Sequence, residues 1–393
     1  MKTNSLIRTD LIFPLLLIIS SLLLRPSFLG ELYSSIGLVL AVISAGFFLL
    51  AYKKISLSQH NLLLLILVTS TCFYFLIHTI VVENPNIHIA TKTVLGILFS
   101  FLAMAIVLSR EEFARRFFDL FFYILCFFSL SYILTIIYIL AFGINQAIWL
   151  TIDYNYFIEM IIFFPLTPVY GIMHSGSIAA PRLAAFAREA GITQAFFVWA
   201  FWWGYFTEKG KILLTLAVLG VVFTFSTAGI LIFVLSLLVF LGLRKYKKRK
   251  IIFLLPAFLL SAFLAIYVVL YAPVTGLVEK QKTHGASINY RENALTGAFD
   301  NAMDYPLGVG VNNDFFGSGS GVNLISSMQL IGIVGVVLVL FIFILPKVVY
   351  FQKERFILML PFLVTALLFQ PIYDAPLILI FLISTSIKSK DGR

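Results

Sequence analysis

Hydrophobic positions in this chain fall in long unbroken runs and do not alternate with polar ones. They cover roughly 11–24, 33–51, 61–82, 93–109, 117–142, 191–207, 212–225, 227–243, 251–272, 323–345, 356–370 and 376–387. An α-helix needs about 20 apolar residues to cross hydrocarbon, so the pattern predicts twelve crossings. Continuous runs exclude the short alternating segments of an outer-membrane barrel. The least marked boundary lies between 212–225 and 227–243, because "KILLTLAVLGVVFTFSTAGILIFVLSLLVFLGL" also reads as one long tilted helix. Charge separates them: Lys209 and Lys211 precede the run, "RKYKKRK" follows it, and only a hairpin puts both basic ends on one side. The first run has a basic start (Lys2, Arg8) like a signal sequence. No small-residue cleavage site follows and Arg25 does, so it reads as an uncleaved first helix.

Composition agrees with the pattern. Mean hydropathy is +1.03, and charged residues make up 12% against about 25% in a soluble domain. The expectation is an all-α polytopic membrane protein of about twelve transmembrane helices, with residues 1–393 forming a single integral membrane domain. With both termini cytoplasmic, 21 of the 28 Lys and Arg fall inside, against 7 of the 18 Asp and Glu. This is the bias the positive-inside rule requires. It accounts for the net charge of +10 without nucleic acid. The same topology leaves two long extracytoplasmic segments, 143–190 and 273–322, and long loops are where function concentrates. Cys72 and Cys126 both lie inside apolar runs and build neither a disulfide framework nor a metal site.

The first long segment opens "INQAIWLTIDYNYFIEMIIFFPLTPVYGIM". Its aromatics and prolines read as a helix lying in the membrane interface, anchored by Trp149 and the tyrosines. The alternative is that Trp149, Tyr154 and Tyr156 offer aromatic faces to sugar rings. Next comes "PRLAAFAREAGITQAF", which places Arg182, Arg188 and Glu189 within eight residues. Read as a helix, Arg182 and Glu189 share a face, with Arg188 about 100° away. An apolar run follows at once, so these charges sit at its outer rim. An anion site, for which arginine's planar fork suits phosphate, and a local ion pair are equal readings of the residues.

The second long segment supplies Lys280, Lys282, His284 and Arg291, then "YPLGVGVNND". Gly308 and Gly310 permit unusual backbone angles. No strand precedes this G-x-G and no third glycine opens a helix, so it reads as a turn and not as a nucleotide fingerprint; a loop carrying backbone amides to a ligand is the alternative. His284 reads as a surface residue or as a general base. No Cys or His pair at ligand spacing, no H-E-x-x-H and no acidic cluster is found, so neither metal nor cofactor is expected. Almost no charge falls within the membrane, apart from Lys92 and Asp374 near the predicted outer ends, which argues against an ion-coupled transporter.

Three blocks together resemble the bacterial O-antigen polymerases (Wzy type) and the related O-antigen ligases, many-spanning membrane glycosyltransferases of a GT-C-like kind. "RLAAFAREAGITQAF" is similar to the family's R-x(n)-R-E-P-G-x-x-Q/N pattern. "TFSTAGILIFVLSLL" sits where the family has an S-R-G turn, and "YRENALTGAFDNAMDYPLGVGVNN" resembles its R-x(n)-P-x-G-x-G block. Ala190 replaces the usual proline and Thr227 the S-R-G arginine. "SGVNLISS" lacks the histidine that ligases commonly carry before the last outside helix, which favours a polymerase. The resemblance implies a donor polysaccharide on undecaprenyl diphosphate, and as acceptor a hydroxyl of a second carrier-linked repeat unit. It implies transfer at the periplasmic face of the inner membrane, with a chain-length regulator and membrane lipid as further partners. Arg182, Arg188 and Arg291 would hold the diphosphate. Glu189 or, second, His284 would act as base, and Lys280, Lys282, Gly308, Gly310, Trp149 and Tyr154 would line the loops. The alternatives are a ligase transferring polymer to lipid A core and, from another class, a flippase or transporter.

Overall fold

The computed structural model describes residues 3–52, 55, 57–155, 158–175, 178–243, 267, 293–311, 313, 322–370 and 375–383. The chain divides into two compact units. The first comprises Met1–Phe121, Asn289–Gln352 and Ala366–Ser386, the second Phe122–Ile288, Lys353–Thr365 and Ile387–Arg393.

In the first unit the apolar runs become α1 (Thr3–Leu22), α2 (Gly30–Ala51), α3 (Gln59–Val81), α4 (Ile87–Val107) and the start of α5 (Glu111–Phe142). Local chemistry sets several of the ends. Ser58 accepts a hydrogen bond from Asn61 N at the start of α3, filling one of the helix's open donors. Glu111 and Glu112 complement the positive end of α5. Phe113, Phe117 and Phe121, spaced by four, are fully buried on one face of α5, and Phe121 packs edge-on against Phe381 at 4.9 Å. Phe381 ends α12 (Pro376–Phe381).

The run expected at 323–345 becomes α10 (Met328–Val349). It starts later because 323–327 is a turn: Asn323 Oδ1 accepts from Ser326 N at 2.8 Å, and Asn323 Nδ2 donates to Leu368 O at 3.3 Å. Leu368 ends α11 (Lys353–Leu368). Among the described residues five helices are long and apolar enough to cross a membrane: Leu32–Ala51, Gln59–Val81, Ile87–Val107, Glu111–Phe142 and Met328–Val349. The run at 251–272, apart from Tyr267, lies outside the described residues.

The second unit departs from the all-α expectation. A short α6 (Ile144–Ala147) leads into β1 (Ile148–Asn155), β2 (Ile158–Phe163), β3 (Thr167–Ser175) and β4 (Ile178–Leu183), an antiparallel sheet in the order β1-β2-β3-β4. The interfacial helix expected here is replaced by this meander. Pro165 and Pro168 stop any helix within a few residues, and the β-branched and aromatic residues of "IWLTIDYN" and "IEMIIF" suit a pleated surface. Gly171, at φ +70, sits in the irregularity between Val169 and Ile172 on β3. The second half of α5 holds the sheet. Thr135 Oγ1 donates to Phe164 O at 2.7 Å, Ser131 and Thr167 share a hydroxyl contact of 2.7 Å, and Tyr132 OH donates to Pro181 O at 2.7 Å.

After the sheet come α7 (Ala190–Phe206), α8 (Lys211–Phe223) and α9 (Thr227–Leu243). The least marked boundary in the sequence is therefore a real break. Phe225 adopts φ +46 between α8 and α9, which no continuous helix permits. Gly220 of α8 lets Phe197 and Ser129 pack against it: a Cβ there would collide with the Phe197 ring and stand 2.6 Å from Ser129 Oγ. Gly220→Ala is expected to lower stability by about 1–3 kcal/mol, the usual cost of overpacking. Thermal unfolding of the detergent-solubilised protein measures it, and an unchanged midpoint would mean that Phe197 gives way freely.

Candidate functional site

In the second unit, the stretch 181–196 is not a helix throughout, which corrects the face-sharing expected of Arg182 and Glu189. Pro181, Arg182 and Leu183 end β4, and the helix starts only at Ala190. Between them lies a tight buried turn. Leu183, Ala184, Ala185, Phe186 and Ala187 are fully buried, and Ala185 adopts φ +49, a left-handed conformation costing a non-glycine residue about 1–2 kcal/mol. The turn is closed by Ala187 N donating to Ala184 O at 3.0 Å and by the Thr193 hydroxyl, which donates to Ala184 O.

Arg188 and Glu189 follow, both half-buried. Glu189 is the N-cap of α7, with extended backbone at φ −142. Ala190 is thus the first residue of the helix, where an N–H has no intrahelical acceptor and where proline is well tolerated. This explains why alanine serves where the resembling pattern has proline.

Arg182 reaches a second element. Its Nε donates to Thr224 O at 3.4 Å, and its guanidinium carbon lies 5.8 Å from the centroid of the Tyr170 ring. Thr224 caps the C-terminus of α8, the end at which a cation is stabilised by the helix dipole. The structure therefore brings two of the motifs together: "RLAAFAREAGITQAF" supplies the cation and "TFSTAG" the turn it touches. Thr227 stands where the resembling pattern has an arginine in that turn, and β4 provides one alongside.

Tyr132 sets this meeting, and the sequence does not single it out. Its hydroxyl holds Pro181 O, one residue before Arg182, and its ring stacks on Phe223 at 4.6 Å, one residue before Thr224. The only local signal is the polar trio Ser131, Tyr132 and Thr135 inside an apolar run. Gln194 is equally inconspicuous in the sequence. It is fully buried, neither end of its amide has a hydrogen-bond partner among the described residues, and it lies against Gly229, where a Cβ would stand 2.9 Å from Gln194 Oε1. A buried polar group left unsatisfied costs about 1–3 kcal/mol, so this amide is a marked feature of the cluster.

Trp149 lies on β1, exposed, with its ring 6.4 Å from that of Phe164; Tyr154 is also on β1. Lys280, Lys282, His284 and Arg291 lie outside the described residues.

Gly308 and Gly310 belong to the first unit, and their surroundings are structural. Both have positive φ, +77 and +106, and a Cβ on Gly308 would stand 2.5 Å from Leu330 O. The loop amides are already engaged: Val309 N donates to Gln329 O at 3.0 Å and Gly310 N to Leu330 O at 2.8 Å. Asn84 Nδ2 holds Val311 O at 2.7 Å, and the His78 ring bonds Leu307 O. The alternative of free amides presented to a ligand is corrected accordingly for these two. Among the described residues no group of three His, Cys, Asp or Glu could hold a metal ion.

Comparison with known proteins adds one match. Residues 212–323 are similar to the family model described as Wzy_C, O-antigen ligase. The matched segment begins at α8 and includes both the turn that Arg182 touches and the Gly308–Gly310 loop. It supports the resemblance to the O-antigen ligase and polymerase group as a whole and does not separate the two. No curated protein and no solved structure matches the chain.

Proposed function

From the similarity of residues 212–323 to the O-antigen ligase family, we propose that this protein is a polymerase of undecaprenyl-diphosphate-linked oligosaccharide repeat units, acting at the periplasmic face of the inner membrane. The observation that carries the reading is the Arg182–Thr224 contact, by which an arginine stands at a turn where the resembling family has one.

In the transfer, the acceptor hydroxyl oxygen bonds to the anomeric carbon of the donor sugar as the bond from that carbon to the diphosphate breaks. The hydroxyl proton passes to a base, Glu189 or, second, His284. Negative charge gathers on the departing lipid diphosphate. Fixed guanidiniums stabilise charge that develops in the transition state more than charge already present, the role we assign to Arg182, Arg188 and Arg291. A chain-length regulator in the membrane is the protein partner this reading calls for.

The description of the matching family favours a second reading, a ligase that moves finished polymer onto lipid A core. Against it, the stretch "SGVNLISS" has no histidine, and its one amide side chain, on Asn323, is engaged in holding the start of α10. Deleting the gene in its host and separating surface and carrier-linked saccharides on a gel decides between them. A polymerase leaves lipid A core bearing a single repeat unit and no ladder. Long polymer accumulating on the carrier lipid would make it the ligase, and a repeat unit trapped on the cytoplasmic side would replace both readings with a flippase.

A further inference from the structure

We propose that the first unit carries a binding groove for an anionic phospholipid between α2 and α4. The groove is open, has a volume of about 590 Å3, and takes one wall from Leu38 of α2. Its other wall is one stripe of α4. Ile87, His88, Thr91 and Lys92 come first, followed by Leu95, Gly96 and Phe99. Spacings of three and four keep these residues on one face, and from His88 to Phe99 the stripe extends about 16 Å along the axis at 1.5 Å per residue.

Polarity is thus ordered along the groove. His88, Thr91 and Lys92 place three hydrogen-bond donors beside Ile87 at one end and Leu95, Gly96 and Phe99 leave only apolar surface at the other, the order of a headgroup and its acyl chain. Gly96 keeps the floor open, since a Cβ there would meet nothing within 4 Å.

Charge identifies the headgroup. Lys92 and His88 are exposed on a helix long and apolar enough to span a membrane, and no carboxylate among the described residues pairs with either. Lys92 lies five residues into α4, about 8 Å along its axis. An ammonium at that depth is costly unless it reaches a polar partner, and a lipid phosphate beside it supplies one. A single ammonium acts as a point charge suited to one phosphodiester. The groove has no arginine fork of the kind that grips a diphosphate at two places, which selects a phospholipid over a diphosphate carrier.

The test uses the full-length protein in detergent micelles, with native mass spectrometry counting retained lipid as phosphatidylglycerol is titrated against phosphatidylcholine. One phosphatidylglycerol should be held in preference. Lys92→Ala should raise the concentration for half-occupancy about fivefold, the worth of one lysine near an anionic headgroup, while Lys92→Arg keeps it. Gly96→Leu, which fills the floor and leaves the charge, should abolish retention; either variant suffices if the other fails to elute as a folded species. Equal retention of the two lipids, or wild-type retention by both Lys92→Ala and Gly96→Leu, would overturn the proposal. So would displacement by millimolar inorganic phosphate, which would mean an anion pocket without a chain site, or preferential uptake of undecaprenyl phosphate, which would assign the groove to the carrier lipid.

Discussion

Arg182→Ala is expected to reduce polymer chain growth at least a hundredfold while the protein inserts at its normal level, since removing one donor to a developing anion costs about 10²–10³ in rate. The size of the effect follows from how the guanidinium is held. Thr224 O and the Tyr170 ring orient it, so no reorganisation is needed as charge builds. Arg182→Lys restores the charge without the planar fork and should recover only part of the activity. Tyr132→Phe keeps the stack on Phe223 and removes the hydroxyl from Pro181 O. Losing one neutral hydrogen bond is worth about 1 kcal/mol, so its effect should be smaller than that of Arg182→Ala. The readout is the saccharide ladder at matched protein level. A normal ladder from Arg182→Ala would take that residue out of the site and leave Arg188 as the next to test.

The second large effect is structural and belongs to the first unit. Gly332 breaks α10 at a kink, with non-helical backbone at φ +69 and ψ 173, and a Cβ there would collide with Leu307 O. Gly308 faces it from the loop, where a Cβ would stand 2.5 Å from Gly332 N. Two backbones therefore interlock with no room for side chains on either. Gly332→Ala combines about 1–3 kcal/mol of strain, because its positive φ with ψ 173 is a backbone region essentially confined to glycine, with about 1–3 kcal/mol of overpacking, a large part of a typical total stability of about 5–15 kcal/mol. It should lower the thermal midpoint in detergent sharply. Gly46→Ala in α2 is the control: nothing lies within 4 Å of its added Cβ, and alanine favours a helix interior over glycine by up to about 1 kcal/mol. Equal midpoints for the two variants would contradict the interlock.

How much of the fold is legible in the sequence depends on the range of the cause. The helices at 33–51, 61–82, 93–109 and 117–142 are legible because a continuous apolar run states its own conformation and burial residue by residue. The break near 226 is legible from the basic residues on both sides of it. The sheet at 148–183 is not: its strands are short and rich in aromatics, and a short apolar segment carries no period long enough to tell strand from interfacial helix. What separates the two is the support of Ser131, Tyr132 and Thr135 on a preceding helix, and no local pattern encodes that.

The candidate site divides in the same way. Composition and charge spacing by themselves determined a membrane-embedded chain and drew attention to Arg182, Arg188 and Glu189, because charge in so apolar a sequence needs a reason. Only the tertiary structure decided that Arg182 stands near the end of a strand, that Glu189 takes the N-cap position of a helix, and that the turn at Thr224 meets the arginine. It likewise decided that Gly308 and Gly310 serve packing against Leu330 and Asn84. Hydropathy and helical period are sums over neighbours in the chain, whereas these contacts join residues 42 apart at Arg182 and Thr224 and 229 apart at His78 and Leu307. Their partners are chosen by which surfaces fit once the helices have formed.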